Sequence, residues 1–129
     1  MSSDFSGRVA LITGAARGIG AELARLLAER GATLALADMA PAEEWEHDLG
    51  ANDQHTRHRL DVRSLDSCQR VVAEVLAAHN QLDHLVNNAG IVRRGTAAEM
   101  SEKDFADVID VNLTGTFRMS QAAYEALAA

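Results

Sequence analysis

The chain of 129 residues has the length of a single domain, and 47% of its residues are hydrophobic, which excludes a disordered composition. Its 19 acidic residues outnumber its 12 basic residues, giving a formal net charge of −7. This excess of acid disfavours nucleic acid and anionic membranes as partners, because both are bound through clustered lysine and arginine.

The first part of the chain predicts a strand–helix–strand unit, the building block of a parallel sheet covered by helices. The almost entirely apolar residues 8–12 predict the first strand, residues 18–30 the helix and residues 33–37 the second strand. Gly31 is placed to end the helix. The helix residues that we expect to face the sheet are Ile19, Leu23, Leu26 and Leu27.

A more polar region follows the second strand. Pro41 suits the first position of a short helix, in which we interpret Glu43 and Glu44 as a solvated face rather than a site. Residues 50–53 predict a turn, and residues 54–60 predict a polar strand at an edge of the sheet.

Two further helices and a fourth strand complete the predicted elements. Residues 64–78 predict a helix and residues 82–86 a strand, and Ser101 suits the N-cap of a last helix from Glu102 towards Ala129. Inward-facing residues of the first of these helices are expected to be Leu65, Cys68, Val72, Val75 and Leu76. The last helix is apolar around most of its circumference, so we expect several neighbours to cover it. Its apolar residues are Phe105, Val108, Ile109, Val111, Leu113, Phe117, Met119, Tyr124 and Leu127.

A glycine-rich turn, Gly14-x-x-x-Gly18-x-Gly20, joins the first strand to the first helix. Gly14 permits a positive φ in the tight turn, Gly18 allows the backbone to approach a diphosphate, and Gly20 allows the helix to pack against the sheet. The N–H groups at the helix N-terminus favour phosphate. The spacing differs from the commoner Gly-x-Gly-x-x-Gly, and the alternative is that the glycines simply make a tight connection.

Asp38 follows the second strand, 18 residues after Gly20. A dinucleotide site needs an acid near this position to accept hydrogen bonds from the adenosine ribose hydroxyls, and the same carboxylate repels a 2′-phosphate. The alternative is an ordinary turn aspartate. The glycine-rich turn nearby favours the ribose role.

Several motifs, in this order, resemble the classical short-chain dehydrogenase/reductase family over essentially the whole chain. They are Thr13-Gly-x-x-x-Gly-Ile-Gly20, Asp38, Asp61-Val62, Asn87-Asn88-Ala89-Gly90 and Asn112 within Val111-Asn112-Leu113. The resemblance implies one Rossmann-type, doubly wound α/β domain over residues 1–129, with a parallel sheet of about four strands in the order 3-2-1-4. It also implies a nicotinamide dinucleotide cofactor and hydride transfer between alcohols and ketones.

The resemblance assigns cofactor contacts to three parts of the chain. In the glycine-rich turn they are Gly14, Arg17, Gly18, Ile19 and Gly20. Asp61 would bond the adenine amino group with the Val62 backbone beside it, and the floor under the adenosine ribose would be Asn88, Ala89 and Gly90. The alternative for this last segment is a strand-ending turn, and both interpretations can hold together.

Arg17 and Asp38 point to different cofactors. In the family, a basic residue just before the second glycine often accompanies NADP, whereas Asp38 disfavours the 2′-phosphate. A carboxylate would have to be desolvated beside that phosphate, while Arg17 can point to solvent. We therefore expect NAD rather than NADP.

Catalysis in the family uses Asn, Ser, Tyr and Lys, the lysine lowering a tyrosine pKa that is ordinarily about 10. Only Asn112 is matched, as an auxiliary group that would hold a proton-relaying water. Tyr124 is the one tyrosine and Ala128 stands four residues after it, so we interpret Tyr124 as a packing residue. We expect a dinucleotide-binding portion that lacks the C-terminal catalytic half and turnover; a non-catalytic binding module and an inert structural fragment are the alternatives.

The remaining reactive side chains predict no metal site. None of the five histidines has a metal-ligand spacing to cysteine or acid, so we expect them to be surface or structural residues. Cys68, the one cysteine, is expected to act as a small hydrophobic residue. Without a secretory leader pattern or an apolar run of bilayer length, the sequence predicts a cytoplasmic protein.

A sheet that ended at the fourth strand would expose an apolar edge, and the last helix would lack neighbours. We therefore expect this surface to be covered by self-association, through the last helix or the strand edge, or by a partner.

Overall fold

Four short strands form one parallel sheet in the order β3–β2–β1–β4, as predicted, in the computed structural model, which describes residues 4–52 and 54–129. The strands are β1 Val9–Thr13, β2 Thr33–Asp38, β3 Thr56–Arg59 and β4 His84–Val86. In the register of the sheet, Leu11 of β1 lies between Ala35 of β2 and Leu85 of β4. All carboxyl ends of the strands therefore meet at one edge of the sheet.

The fourth strand begins at His84 and not at the predicted residue 82. At Asp83 the pairing with β1 is made partly by the side chain instead of by the backbone alone. Its carboxylate accepts a hydrogen bond from the Val9 N–H at 2.8 Å, and its own N–H donates to the Val9 carbonyl at 2.9 Å. Leu82 is buried just outside the strand. The third strand is likewise shorter than residues 54–60 at both ends.

Helices cover both faces of the sheet. They are α1 Gly18–Glu29, α2 Leu65–His79, α3 Glu102–Ile109 and α4 Gly115–Ala128, with a π-helical turn at Asp110–Thr114 and 3₁₀ turns at Ala42–Glu44 and Leu49–Ala51. Pro41 precedes the first 3₁₀ turn rather than opening it. No helix within residues 4–52 and 54–129 is both long enough and apolar enough to span a membrane.

The first helix packs closely on the sheet because its buried face is made of small residues. Gly20, Ala21 and Ala24 are the buried residues of this helix face. They lie on the side of the sheet whose core includes Ala10 and Ile12 of β1. Leu23 and Leu27 border this contact, as predicted. The prediction was wrong for Ile19 and Leu26, which are 80% and 42% exposed, because a close helix–sheet contact leaves their positions outside it.

The second helix and the last helix pack together on the opposite face. Cys68, Val71, Val72 and Val75 form the buried stripe of α2, so the prediction holds for Cys68, Val72 and Val75. Leu65 and Leu76, predicted to face inward, lie at the margins of the stripe and are exposed.

The predicted last helix is two helices joined by the π-helical turn. Ser101 caps α3, its Oγ accepting from the Asp104 N–H at 3.1 Å, as predicted. Met119 and Ala123 bury one face of α4. The interpretation of Tyr124 as a packing residue was wrong: its side chain is 70% exposed, and Phe105 and Phe117 are also exposed, because the described residues cover only one side of these helices.

Buried histidines attach the edge strand β3 to its neighbours. His55 is buried, and its Nδ1 accepts a hydrogen bond from the Leu34 N–H of β2 at 3.0 Å. Thr56 Oγ1 lies 2.7 Å from His58 Nε2 and 2.8 Å from His79 Nε2. Of the two roles predicted for the histidines, surface or structural, these three have the structural one.

Protonation of His55 is opposed by its burial and by the hydrogen bond that its Nδ1 accepts from the Leu34 N–H. Burial lowers the pKa of His55, and burial with the nearby histidines lowers the pKa of His79. The unfolded chain consequently binds more protons than the folded chain at pH values between the lowered pKa and the ordinary value of 6.5. This part of the stability is complete above pH 6.5 and is lost as the pH falls towards the lowered pKa.

We predict that the free energy of unfolding decreases as the pH falls below 6.5, and that the decrease is smaller in His55→Asn. Asparagine can keep an acceptor near the position of Nδ1 without titrating. Urea unfolding between about pH 8 and about pH 5 measures the effect. The same pH dependence in both proteins would contradict the role given to His55.

Candidate functional site

The glycine-rich turn leaves β1 and enters α1 through two residues with positive φ. Gly14 has φ 66° and Gly18 has φ 60°, both in the left-handed region. A Cβ on Gly14 would lie 2.9 Å from Ala89 Cα, and one on Gly20 would lie 2.6 Å from Asn88 Nδ2. A Cβ on Gly18 would meet nothing within 4 Å. Gly14 and Gly20 thus close the turn, whereas the backbone of Gly18 borders open space.

Several N–H groups of the turn point to acceptors or to solvent. The Ala16 N–H donates to Asp38 Oδ2 at 3.0 Å, and the Gly18 N–H donates to Glu46 Oε2 at 3.1 Å. The N–H groups of Ile19 and Gly20 have no acceptor within residues 4–52 and 54–129. The turn therefore attracts carboxylates and still offers donors at the helix N-terminus.

Asp38 is held at the carboxyl end of β2 by backbone donors. Its Oδ2 accepts from Ala16 and its Oδ1 accepts from the Ala40 N–H at 2.9 Å. An ionised carboxylate has about four acceptor positions, so each oxygen keeps capacity for one more donor. The carboxylate is thus fixed in orientation and remains able to accept from a ligand.

The segment after β4 is joined to the glycine-rich turn by Thr13, a role that was not predicted. Thr13 Oγ1 accepts from the N–H groups of Asn88 and Ala89 at 3.0 and 2.9 Å. Asn88 Nδ2 donates to the Gly14 carbonyl at 3.1 Å. A threonine at the end of an apolar strand was the only signal of this role.

These segments enclose a cleft of about 510 Å³ at the carboxyl ends of the strands. It brings together most of the predicted cofactor residues: Gly14, Arg17, Asp38, Asp61, Val62, Asn88, Ala89 and Gly90. Gly18, Ile19 and Gly20 lie beside the cleft rather than along it. Met39, Ile91 and Arg93 line it as well and were not predicted.

Asp61 lies in the cleft with its carboxylate already paired. Its Oδ1 accepts from the N–H and Nε of Arg63, and its Oδ2 lies 3.0 Å from an Arg63 guanidinium nitrogen. These hydrogen bonds from Arg63 hold the pKa of Asp61 below its ordinary value. Asp61 is therefore ionised near neutral pH and available as an acceptor.

Asn112 lies in the π-helical turn and clamps the segment beyond Gly90. Its Nδ2 donates to the Ile91 carbonyl at 3.0 Å, and its Oδ1 accepts from the Ile91 N–H at 2.8 Å. A Cβ on Gly90 would lie 3.3 Å from this Oδ1. Because π-helical turns are often found at functional sites, the turn is consistent with a site residue here.

An acidic strap, residues 43–47, crosses over the glycine-rich turn. The Glu46 N–H donates to the Ala16 carbonyl at 2.8 Å, and Glu44 Oε2 lies 3.2 Å from an Arg17 guanidinium nitrogen. Glu43 and Glu44 are both exposed, as the interpretation of a solvated face requires, and Glu44 in addition pairs with Arg17. Sequence spacing did not show that the strap would fold back, because the contact joins residues 27 positions apart.

Comparison with known proteins agrees with this geometry. The family model described as short chain dehydrogenase matches residues 8–129. The chain is 40% identical over 120 residues to the oxidoreductase UcpA of Salmonella typhimurium, covering 92% of this chain and 46% of UcpA. It is 36% identical over 126 residues to the Escherichia coli 3-oxoacyl-[acyl-carrier-protein] reductase FabG, covering 96% of this chain and 51% of FabG.

A solved structure shows the same fold. The short-chain dehydrogenase/reductase described as glucose/ribitol dehydrogenase from Brucella melitensis aligns with a TM-score of 0.90 at 32% identity. The alignment covers 98% of this chain and 54% of that chain. The chain thus spans about half the length of the proteins that it matches.

We predict that Gly20→Ala lowers the free energy of unfolding by about 3 kcal/mol, because its methyl group would overlap the Gly14 carbonyl and Asn88. Helix propensity alone predicts the opposite, a gain of about 1 kcal/mol. Gly18→Ala is the matched control: it meets no atom, so only its positive φ should cost about 1 kcal/mol. Urea unfolding of the three proteins measures the order, and a Gly20→Ala protein as stable as the original would contradict it.

Proposed function

The chain belongs to the short-chain dehydrogenase family, and from this premise we propose that its cleft binds a nicotinamide dinucleotide, NAD in preference to NADP. We further propose that the chain is the dinucleotide-binding portion of a dehydrogenase/reductase that interconverts alcohols and ketones by hydride transfer. The observation that supports the proposal most directly is the arrangement of Asp38 beside the glycine-rich turn, in one cleft with Asn88 and Gly90. An acid and an amide-rich turn side by side match an adenosine ribose and its diphosphate.

The residues present fit the adenosine half of such a ligand. Asp38 keeps acceptor capacity for ribose hydroxyls while Ala16 and Ala40 hold it in place. The N–H groups of Ile19 and Gly20 are placed to donate to phosphate, and the absence of a side chain at Gly18 leaves room for it. Asp61, kept ionised by Arg63, can accept from an amino group.

The preference for NAD rests on charge. A 2′-phosphate would lie against the Asp38 carboxylate, and Arg17 could relieve the repulsion only by leaving Glu44, with which its guanidinium is paired. NAD has hydroxyls at that position, which Asp38 can accept from. The same arrangement that binds one cofactor therefore disfavours the other.

The chemical part of the reaction would come from the bound nicotinamide, which donates or accepts hydride. Of the family's catalytic groups, this chain has Asn112, whose amide positions the Ile91 backbone at the end of the cleft. The single tyrosine is exposed and has no lysine four residues later. We propose that these 129 residues bind the cofactor but do not turn over substrate; a non-catalytic dinucleotide-binding module and an inert fragment are the competing possibilities.

We predict that the chain binds NAD and ADP-ribose more tightly than NADP in titration calorimetry. Binding of ADP-ribose as well as NAD would locate the affinity in the adenosine half. An inert fragment would bind none of the three. Oxidation of an alcohol with NAD by the purified chain would contradict the proposal that it lacks turnover.

We predict that Asp38→Asn raises the affinity for NADP relative to NAD by about tenfold, because a neutral amide does not repel the 2′-phosphate. Asp48→Asn removes the same charge from an exposed position on the same connection and should leave the ratio unchanged. An unchanged ratio in Asp38→Asn would contradict the ribose role of Asp38.

We also propose that the chain associates with itself through α4 or the free edge of β4. Within residues 4–52 and 54–129, β4 pairs only with β1, and Phe117 and Tyr124 on α4 are 61% and 70% exposed. An unpaired strand edge and exposed aromatic residues on a helix each favour association.

Sedimentation velocity at micromolar concentration should show a species larger than one chain. Phe117→Ser should weaken the association, whereas Val92→Ser, at a similarly exposed apolar residue outside α4 and β4, should not. A monomer at all concentrations would contradict self-association.

A further inference from the structure

The acidic strap places two carboxylates on two donors beside the free N–H groups of Ile19 and Gly20. Glu46 Oε2 accepts from the Gly18 N–H at 3.1 Å, at the N-terminus of α1. Glu44 Oε2 lies 3.2 Å from the guanidinium of Arg17, which lines the cleft beside Asp38. Glu43, on the same strap, makes no such contact within the described residues.

The strap is anchored by its backbone and rings independently of these carboxylates. The Glu46 N–H donates to the Ala16 carbonyl, and His47 Nε2 lies 3.0 Å from the Ala15 carbonyl. Trp45 Nε1 donates to the Ala40 carbonyl at 3.1 Å, and the Arg57 guanidinium lies 5.1 Å from the centre of the Trp45 rings. The side chain of Glu46 can therefore leave Gly18 while the strap stays in place.

We propose that the acidic strap determines cofactor affinity and specificity, an inference that rests on the proposed function. A diphosphate bound at the N–H groups of Ile19 and Gly20 meets the charge of Glu46 and gains the adjacent Gly18 N–H only by displacing it. A 2′-phosphate has, in addition, to displace Glu44 from Arg17. The first carboxylate lowers the affinity for NAD and NADP alike, and the second selects against NADP.

Both carboxylates are effective but displaceable competitors. They are tethered to the site, so they lose no translational freedom in occupying it, unlike a ligand from solution. Both are solvent-exposed, and single exposed charge pairs are weak. A dinucleotide with several phosphate and ribose contacts can therefore displace them. The 2′-phosphate of NADP gains less, because the charge of Arg17 is already compensated by Glu44.

Three glutamates on one short segment make a matched set of variants. Glu46→Gln should tighten NAD, NADP and ADP-ribose by a similar factor of about five, because a neutral amide competes less well for the Gly18 N–H. Glu44→Gln should tighten NADP by about fivefold and leave NAD nearly unchanged. Glu43→Gln removes the same charge without a contact and should change neither. Titration calorimetry measures all three ligands.

The Gly18 amide provides a readout that does not depend on ligand binding. In ¹H–¹⁵N spectra of the free proteins, its signal should shift in Glu46→Gln and not in Glu43→Gln. Unchanged fluorescence of Trp45, the one tryptophan, would show that the strap itself has not unfolded.

The outcomes separate the two proposals. Equal affinities of Glu46→Gln, Glu43→Gln and the original chain for ADP-ribose would overturn the inference about the strap and leave the proposed function standing. An unchanged NADP-to-NAD ratio in Glu44→Gln would overturn the selection against NADP. Absence of ADP-ribose binding in every protein would overturn the proposed function and the strap's role with it.

Discussion

The candidate site depends on the junction where β1 and β4 leave the sheet side by side. Thr13 accepts two backbone N–H groups from the segment after β4, and Asn88 returns a hydrogen bond to the Gly14 carbonyl. Gly20 of α1 presses against the same two groups so closely that no side chain fits. Helix, turn and strand end are therefore one unit, and none of them can move without breaking contacts with the others.

The rest of the cleft is built outward from this junction. On one side, Asp38 bonds the Ala16 N–H and thereby ties the end of β2 to the turn. On the other, Asn112 holds both backbone groups of Ile91, which extends the fixed segment beyond Gly90. Arg118 of α4 bonds the Val62 carbonyl at 2.9 Å and so ties the last helix to the segment after β3. Each wall of the cleft is thus positioned by side-chain bonds to backbone groups rather than by apolar packing alone.

Local sequence pattern predicted the features that depend on neighbouring residues. The parallel sheet and the Ser101 cap follow from alternating elements and capping chemistry, and the glycine-rich turn with Asp38 follows from a specific spacing. The strand order was implied by the family resemblance. The failures share a different cause. Ile19 and Leu26 are exposed because small residues bring α1 close to the sheet, and periodicity does not measure that distance. The contacts of Thr13 with Asn88 and of Glu44 with Arg17 join distant parts of the chain, and no local pattern contains them.

The acidic side chains that bind the glycine-rich turn indicate which kind of ligand the turn attracts. Two N–H groups of the turn, those of Ala16 and Gly18, have acidic side chains as acceptors in a chain whose net charge is −7. Folding brings these negative charges together only where exposed donors and the positive end of a helix compensate for their repulsion. Binding of the protein's own carboxylates therefore indicates that the turn attracts anions. Asp38 is held by two backbone donors at the end of a strand, whereas Glu46 has one exposed bond on a separately anchored strap, so Glu46 is the carboxylate that an external anion can replace.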